Sequence, residues 1–366
     1  NFRRKVAYTY NIRGWQTEGK TYHKKEGVAT EQTQFGYQLA YVDGNNKYTN
    51  GNINALNWTH AAVGTLPAAT GAYSFGYDGL NRLLSTGIAG GTNEGDIQYD
   101  LNGNIEKLKR WKGGTLIDNL TYEYANGNRL GKIDDASGNA EGFKDESGAD
   151  YEYDPNGNLL KDNNKGIATN GLQYNLLNRV RKITLGGKSL EYHYDASGQK
   201  HQLMYSNPTE VSKSETSRYA GSAEYQGAYL KRIATGEGQY IFQSATVGEY
   251  QYYLTDHLGN TRVVVSGQGE VLQRNDYYAF GLAIDAVDRG ENKYLFLNRE
   301  LQPETGYYDL IHRQYDPAKA RFDAVDPKPD DGDQESLSTY QYGLNNPILR
   351  SDPNGDCTKC WEAIKS

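Results

Sequence analysis

Residues 151–159 read Tyr-Glu-Tyr-Asp-Pro-Asn-Gly-Asn-Leu, a full copy of a pattern that recurs along the chain. The underlying pattern is Tyr-x-Tyr, then Asp or Asn, then Gly or Asn, then Asn or Arg, and finally an apolar residue. Full or degenerate copies recur along the first 200 residues, around Tyr8, Phe75, Tyr99, Tyr122, Tyr174 and Tyr192. The later copies start 20 to 29 residues apart. A repeat of this length cannot bury its apolar face alone, so the chain is predicted to be an array.

The residues of one repeat predict a β-hairpin. Tyr at alternate positions places both rings on one face of a strand. The Asp or Asn that follows starts a turn, and Gly-Asn supplies the positive φ that a tight hairpin needs. Units in series predict an all-β fold with a coiling, mostly antiparallel sheet and little helix. Three tyrosine pairs are expected to face the interior: Tyr122/Tyr124, Tyr151/Tyr153 and Tyr192/Tyr194.

The aromatic composition favours a thin wall around a large, partly wet interior. Tyr occurs 32 times against 8 Phe and 4 Trp, and hydrophobic residues make up 37% of the chain. Tyr suits a surface that is half packed and half hydrated, because its ring is apolar and its hydroxyl is polar. A large β-sandwich or propeller that is rich in Tyr is the alternative.

Charge and hydropathy exclude two classes of partner. The net charge is −7 and the pI is about 5.5, so the chain lacks the basic footprint of a nucleic-acid-binding protein. No stretch of 18 apolar residues occurs, and no membrane span is expected in this fragment. The chain begins in the middle of a predicted strand, so we expect the protein to extend further upstream, where an export signal would lie.

Two features of the sequence are typical of metal sites, and for each of them an interpretation without a metal is favoured. The acidic run over residues 330–335 is expected to be a solvated loop. Cys357 and Cys360 form one Cys-x-x-Cys, but a zinc site needs two further ligands and no second such motif occurs. Neither a metal nor a cofactor is predicted, and redox chemistry at these cysteines is left unassigned.

The last third of the chain carries a series of single motifs in place of a repeat. They are Asp-His-Leu-Gly-Asn at 256–260, Tyr-Asp-Pro at 315–317, Arg-Phe at 321–322, Val-Asp-Pro at 325–327, Tyr-Gly-Leu-Asn-Asn-Pro at 342–347 and Asp-Pro-Asn-Gly at 352–355. With the repeats, these motifs resemble the Rhs/YD-repeat proteins that end in the RHS-repeat-associated core domain. The segments 10–15 and 51–53 resemble the Bacteroidota branch of that family in particular.

The resemblance implies a hollow β-cocoon whose wall is a spiral of hairpins. Residues 1–253 would form the YD-repeat shell and residues 254–355 the core domain that plugs one end. Residues 356–366 would be a tail or the start of a downstream segment. In the family the shell typically encloses a toxic C-terminal domain, so the implied partner is the protein's own effector segment or a carried or secretion-machinery protein.

The resemblance also implies self-cleavage of the aspartic-protease type, in which two carboxyl groups share one proton. The matching residues are Asp326 and Asp352, with Arg321 as the arginine that holds a carboxylate or orients the segment to be cut. The cut is expected just past Asp-Pro-x-Gly, in the region of Gly355, Asp356 and Cys357.

Taken without the family, the two Asp-Pro pairs are ordinary turn openers that need not meet. Two departures from the family pattern bear on cleavage. Asp356 stands where members usually have Leu or Met, and Ala320 stands where they usually have Gly. The enzyme assignment therefore stays open between a self-cleaving peptidase and a non-cleaving scaffold.

Three functions remain from the sequence. The first is a non-hydrolytic shell that encloses a C-terminal effector, and the second is a secreted or surface scaffold that carries or displays a partner. The third is an adhesin that binds glycans through exposed aromatic rings. We expect a secreted or surface location, with the cytoplasm before delivery as the alternative.

Overall fold

The computed structural model describes residues 3–24, 32–42, 50–62, 67–88, 91–288, 292–330, 334 and 336–356. Antiparallel strands dominate these residues, and helix is confined to four single 3-10 turns at Asn163–Lys165, Val211–Lys213, Phe296–Asn298 and Gly343–Asn345. The predicted all-β class is confirmed. None of the helices in these ranges is long and apolar enough to cross a membrane.

The first half of the wall consists of consecutive hairpins. A six-stranded sheet contains β1 (Arg3–Tyr10), β2 (Gln16–Lys24), β3 (Gln32–Ala40), β4 (Ala55–His60), β5 (Ala69–Tyr77) and β6 (Leu83–Ile88). A four-stranded sheet contains β7 (Asn93–Tyr99), β8 (Ile105–Lys112), β9 (Thr115–Asn126) and β10 (Arg129–Asp135). A single hairpin then pairs β11 (Tyr151–Tyr153) with β12 (Leu159–Asp162).

The second half of the wall is one sheet of twelve strands in chain order. It contains β13 (Leu172–Tyr174), β14 (Val180–Leu185), β15 (Lys188–Tyr194), β16 (Lys200–Ser206), β17 (Glu215–Ala220), β18 (Ala223–Gln226), β19 (Tyr229–Thr235), β20 (Gly238–Phe242), β21 (Gly248–Thr255), β22 (Thr261–Ser266), β23 (Val271–Tyr277) and β24 (Ala283–Asp288). Strand β21 crosses the shell boundary that the sequence placed after residue 253. The wall thus continues through β24, because Asp256–Asn260 forms another hairpin turn of the repeat type.

The repeat turn depends on an aspartate that binds the residue four positions on. Asp100 accepts the backbone N–H and the side-chain amide of Asn104, each at 2.8 Å. Gly103 has a φ of 78°, a conformation that a side chain with a Cβ rarely adopts. The same bonds recur in the turns 154–158 and 256–260. The Asp-x-x-Gly-Asn pattern therefore specifies the turn locally.

The second tyrosine of a repeat joins it to the repeat before. Its hydroxyl donates to the backbone carbonyl of the apolar residue that ended the previous turn. The pairs are Tyr99 to Leu83 at 2.6 Å, Tyr124 to Ile105 at 2.7 Å, Tyr174 to Leu159 at 2.8 Å and Tyr194 to Val180 at 2.9 Å. This series, named the tyrosine ladder, explains why the repeat uses Tyr where Phe would supply the same apolar ring.

The predicted inward direction of the tyrosine pairs is confirmed. Tyr122, Tyr151 and Tyr192 are buried in the hydrophobic core, and Tyr124, Tyr153 and Tyr194 are partly buried against it. The first repeat differs, because Tyr8 and Tyr10 on β1 are about half exposed at 52% and 49%. Strand β1 pairs with β2 alone among the described strands, so its rings have fewer neighbours to pack against.

The wall curves around the segment 292–356, named here the core segment. This segment contains a small sheet of β25 (Glu300–Gln302), β26 (Tyr307–Asp309), β27 (Gln314–Asp316) and β28 (Arg321–Phe322). Its contacts come from wall repeats far apart in sequence, through the pairs Asn346–Asn81, Tyr340–Gly157 and Lys200–Asp309. The core segment therefore packs against repeats from both halves of the wall.

Candidate functional site

The site forms around Arg313, which lies between β26 and β27 in the core segment. The Arg313 side chain is buried, and its guanidinium lies over the Phe322 ring with 3.6 Å between the guanidinium carbon and the ring centroid. A guanidinium stacked on an aromatic face keeps its edge free to donate hydrogen bonds in one plane. Strand β28 supplies Phe322, so the small sheet fixes where those donors point.

The guanidinium of Arg313 joins the two predicted aspartates. Its Nη2 atom donates to Asp326 Oδ2 at 2.8 Å and to Asp352 Oδ2 at 2.9 Å. Both carboxyl side chains are about 3% exposed. The structure therefore brings Asp326 and Asp352 together, as the sequence predicted, through an arginine that the sequence did not single out.

Arg313 also holds the backbone of the predicted cleavage region. Its Nε atom donates to the Gly355 carbonyl oxygen at 2.7 Å, and Nη1 donates to the Thr339 carbonyl oxygen at 3.0 Å. A cationic donor on a carbonyl oxygen draws electron density from the carbonyl carbon. Of the peptide bonds in the predicted region, the one after Gly355 is polarised in this way.

The turn at residues 352–355 presents that peptide bond to Asp352. The Asp352 Oδ1 atom accepts the N–H of Gly355 at 2.8 Å and the N–H of Asp356 at 3.1 Å. Gly355 has a φ of 72°, and a Cβ there would lie 2.9 Å from the Leu310 carbonyl oxygen. Only glycine fits this approach, so the last position of Asp-Pro-x-Gly is required by geometry.

The electrostatics of the site centre on one buried cation between two buried carboxyl groups. Burial lowers the pKa of Arg313 below its usual value, while Asp352 and Asp326 act in the opposite direction. An arginine side chain remains protonated in proteins even so. Its charge offsets the repulsion between two carboxyl groups that are held close together.

The assignment of Arg321 to this site is corrected by the structure. Its Nη1 donates to the Tyr124 hydroxyl at 3.0 Å and its Nη2 to the Asn128 carbonyl oxygen at 2.8 Å. Arg321 lies in β28 and Phe322 follows it, so the two side chains point to opposite faces of the strand. Phe322 faces Arg313, and Arg321 is directed to the wall.

Arg313 was missed because sequence spacing does not show which arginine meets an aspartate pair. It lies 13 residues before Asp326 and 39 before Asp352. Its position directly before the Gln-Tyr-Asp-Pro stretch at 314–317 is the available signal, since the chain must turn back at that point to pair β26 with β27.

The residue after Gly355 has its own charged neighbours. Asp356 is buried, and its Oδ2 atom lies 2.7 Å from Lys328 Nζ and 3.5 Å from His312 Nε2. Arg179 Nη2 lies 3.2 Å from His312 Nδ1. Cys357 and Cys360 lie outside the described residues. Within the described ranges, no group of three or more His, Cys, Asp or Glu side chains is arranged to hold a metal.

Other buried ionic clusters join the core segment to the wall. Lys200 of β16 pairs with Glu300 at 2.8 Å and with Asp309, while Lys293 pairs with Glu300 at 2.7 Å. Arg110 of β8 pairs with Glu94 and Asp118, and donates to the Ala318 carbonyl oxygen. These clusters position the core segment and contain none of the predicted site residues.

Comparison with known proteins supports the same architecture. The family profile of the teneurin YD-shell matches residues 69–207. The tRNA nuclease WapA of Bacillus subtilis (strain 168) is 27% identical over 290 residues, which cover 76% of this chain and 12% of WapA. Human Teneurin-4 is 26% identical over 318 residues, which cover 78% of this chain and 10% of the teneurin.

A solved structure gives the same result for the fold. A mutant Tc holotoxin pore from Photorhabdus luminescens superposes with a TM-score of 0.72 at 17% identity, over 96% of this chain and 18% of that one. At this identity the likeness shows the fold alone. The Bacteroidota-like character of segments 10–15 and 51–53 stays a prediction. The chain is homologous to WapA and to the teneurins over about three quarters of its length, and residues 69–207 of its wall match the YD-shell family.

Proposed function

We propose that this chain is a shell that carries the segment following Gly355 and hydrolyses its own Gly355–Asp356 peptide bond. The observation that carries the proposal is the set of bonds from Arg313 to Asp326, Asp352 and the Gly355 carbonyl oxygen. A structural ion pair alone has no need of the third bond, which holds the Gly355 carbonyl oxygen at the same guanidinium that binds the two carboxyl groups.

The geometry assigns a role to each carboxyl group. Asp326 acts as the general base and accepts a proton from a water molecule whose oxygen bonds to the Gly355 carbonyl carbon. Asp352 already contacts the Asp356 nitrogen, so in its protonated form it donates a proton there as the carbon–nitrogen bond breaks. The products are a carboxyl group on Gly355 and an amine on Asp356. Arg313 stabilises the oxyanion between these steps.

The carried partner is the protein's own C-terminal segment. Gly355 and Asp356 are both buried in the core segment, where Arg313 holds the Gly355 carbonyl, and this supports a carried segment that begins inside the shell. A nuclease and toxin proteins among the homologues support an effector as this partner. A protein of the secretion machinery that receives the shell is the other partner we propose.

The test compares wild type with Asp326→Asn and Asp352→Asn. Each chain is isolated uncut under denaturing conditions and refolded, and its intact mass is followed with time. We expect wild type to release a fragment that begins at Asp356, and both variants to remain whole while showing the far-UV circular dichroism of wild type. A folded wild type that stays uncut identifies a non-cleaving scaffold.

We propose that the shell works at the cell surface or after secretion. Strands β14 to β23 each pair on both sides, which limits the unpaired edge that would aggregate during export. Protease treatment of intact producing cells tests the location. A surface shell is trimmed while a cytoplasmic control protein is spared, and a shell held in the cytoplasm before delivery is protected like the control.

Glycan binding is a second candidate, favoured by aromatic rings on β20 and β21. The Tyr240 and Tyr250 ring centroids lie 4.9 Å apart, and Tyr250 stacks near Tyr252 at 6.2 Å with 15° between the planes. Tyr250 is 50% exposed. A glycan array probed with wild type and Tyr250→Ala tests this role, with Tyr229→Ala as the control for loss of an exposed tyrosine.

A further inference from the structure

We infer that Lys328 is a positioning residue that neutralises the Asp356 carboxylate, so that a chain with an acidic residue after the cut can still be cleaved. The inference rests on the proposed self-cleavage and adds a determinant of its specificity. It explains how this protein accommodates a carboxylate where the family usually has an apolar side chain.

The Asp356 carboxylate lies in a mostly buried position beside the Lys328 ammonium. The Asp356 side chain is 11% exposed, and its Oδ2 atom accepts a 2.7 Å hydrogen bond from Lys328 Nζ. Lys328 follows directly on Asp326-Pro327, and its backbone N–H donates to Asp326 Oδ1 at 2.8 Å. The same residue therefore contacts one carboxyl group of the proposed pair through its backbone and the Asp356 side chain through its ammonium.

His312 is a second neighbour of the Asp356 carboxylate. Arg179 approaches His312 Nδ1 at 3.2 Å, and because arginine is only a donor, the neutral ring accepts at Nδ1 and carries its proton on Nε2. That N–H side of the ring lies 3.5 Å from Asp356 Oδ2. Burial lowers the pKa of His312, and the Asp356 carboxylate opposes that shift.

The charged groups around Asp356 determine how its carboxylate affects the hydrolysis. Among the described residues, the charged and titratable groups around Asp356 are Lys328, His312, Arg313 and Asp352, with Arg179 beside His312. A pair of carboxyl groups that shares one proton is active between its two apparent pKa values. Without Lys328, the Asp356 carboxylate would repel the ionised carboxyl group of the pair. Lys328 cancels that effect.

The test is a cycle of four chains: wild type, Lys328→Met, Asp356→Leu and the double variant. The rate of release of the fragment that begins at residue 356 is measured from intact mass over a range of pH. Lys328→Met removes the ammonium and leaves the Asp356 carboxylate with the neutral His312 ring, so its pH–rate profile moves to higher pH. Asp356→Leu removes the negative charge and keeps the positive charge of Lys328, so its profile moves to lower pH. The double variant returns to the wild-type position.

A shift of about one pH unit is expected for each single variant, equivalent to roughly a tenfold change on the limbs of the profile. Lys328 is 51% exposed, so Lys328→Met is expected to fold, and Lys213→Met at the exposed Glu210 pair is the matched control. Profiles that coincide for all four chains overturn this inference and leave self-cleavage standing. A wild-type chain that never cuts overturns both.

Discussion

The Nε atom of Arg313 donates a 2.7 Å hydrogen bond to the backbone carbonyl oxygen of Gly355. The same guanidinium holds Asp326 and Asp352, which lie in different turns of the core segment. The cation therefore has two consequences that can be separated by experiment: it holds the core segment together, and it polarises one peptide bond.

Replacement of Arg313 tests both consequences. Arg313→Met leaves two buried carboxyl groups without their cation, and we expect a loss of about 3–5 kcal/mol in the free energy of unfolding, with no cleavage. Arg313→Lys keeps the charge but cannot donate to four oxygens in one plane, so it is expected to fold better and still not cleave.

Arg321→Lys is the matched control for the arginine assignment. Arg321 contacts Tyr124 and Asn128 of the wall, so its replacement is expected to lower stability and leave cleavage at the wild-type rate. Urea unfolding and intact mass measure the two effects. Cleavage that is lost in Arg321→Lys and retained in Arg313→Lys would restore the original assignment.

The chain contains an internal copy of the proposed cleavage motif. Residues 154–157 and 352–355 both read Asp-Pro-Asn-Gly. The Gly157 carbonyl oxygen accepts from the Tyr340 hydroxyl at 2.7 Å, and Asp154 binds Asn158. We expect no cut after Gly157, since a neutral hydroxyl stands where Gly355 has Arg313. Fragment masses decide this, and Asp154→Asn should leave the cut after Gly355 unchanged.

The tyrosine ladder predicts a uniform stability effect along the wall. Tyr124→Phe, Tyr174→Phe and Tyr194→Phe each remove one hydroxyl that donates to the previous repeat. We expect each to lower the free energy of unfolding by about 0.5–1.5 kcal/mol, as a lost hydrogen bond does. Tyr8→Phe is the control, because Tyr8 is 52% exposed on β1. Equal effects at Tyr8 and at the ladder positions would contradict the account.

Acid is expected to loosen the contact between wall and core at Glu300. Burial raises the pKa of Glu300, but Lys200 and Lys293 outweigh burial and hold it well below its usual value. A carboxyl group with a lowered folded-state pKa stabilises the protein above its unfolded pKa, about 4.5, and the stabilisation is lost as the pH falls below that value. The stability difference between wild type and Glu300→Gln should therefore be largest near pH 7 and shrink below about pH 4.5.

Local patterns predicted the wall, because each repeat turn is specified within five residues. The bond from Asp100 to Asn104, the positive φ of Gly103 and the inward face of Tyr122 all follow from residue types at fixed spacing. The meeting of Asp326 and Asp352 was predicted from the family motifs. Spacing alone does not separate Asp352 from Asp154, since both open the same tetrapeptide.

Local sequence patterns could not predict which arginine contacts the two aspartates. Arg313 reaches the aspartates because β26 and β27 reverse the chain and Phe322 supports the guanidinium. Arg321 is turned to the wall by strand alternation. Both facts depend on contacts between residues far apart in sequence, and neither is visible in the spacing of Arg-Phe and Asp-Pro.

In the proposed reaction, water hydrolyses the Gly355–Asp356 bond inside the folded shell. The most direct measurement is to refold the uncut wild-type chain in heavy-oxygen water and to determine the masses of the products. We expect one heavy oxygen in the new carboxyl group of Gly355, none in the amine of Asp356, and an intact chain for Asp352→Asn. A folded wild type that keeps its full mass, or a cut at another bond, would contradict it.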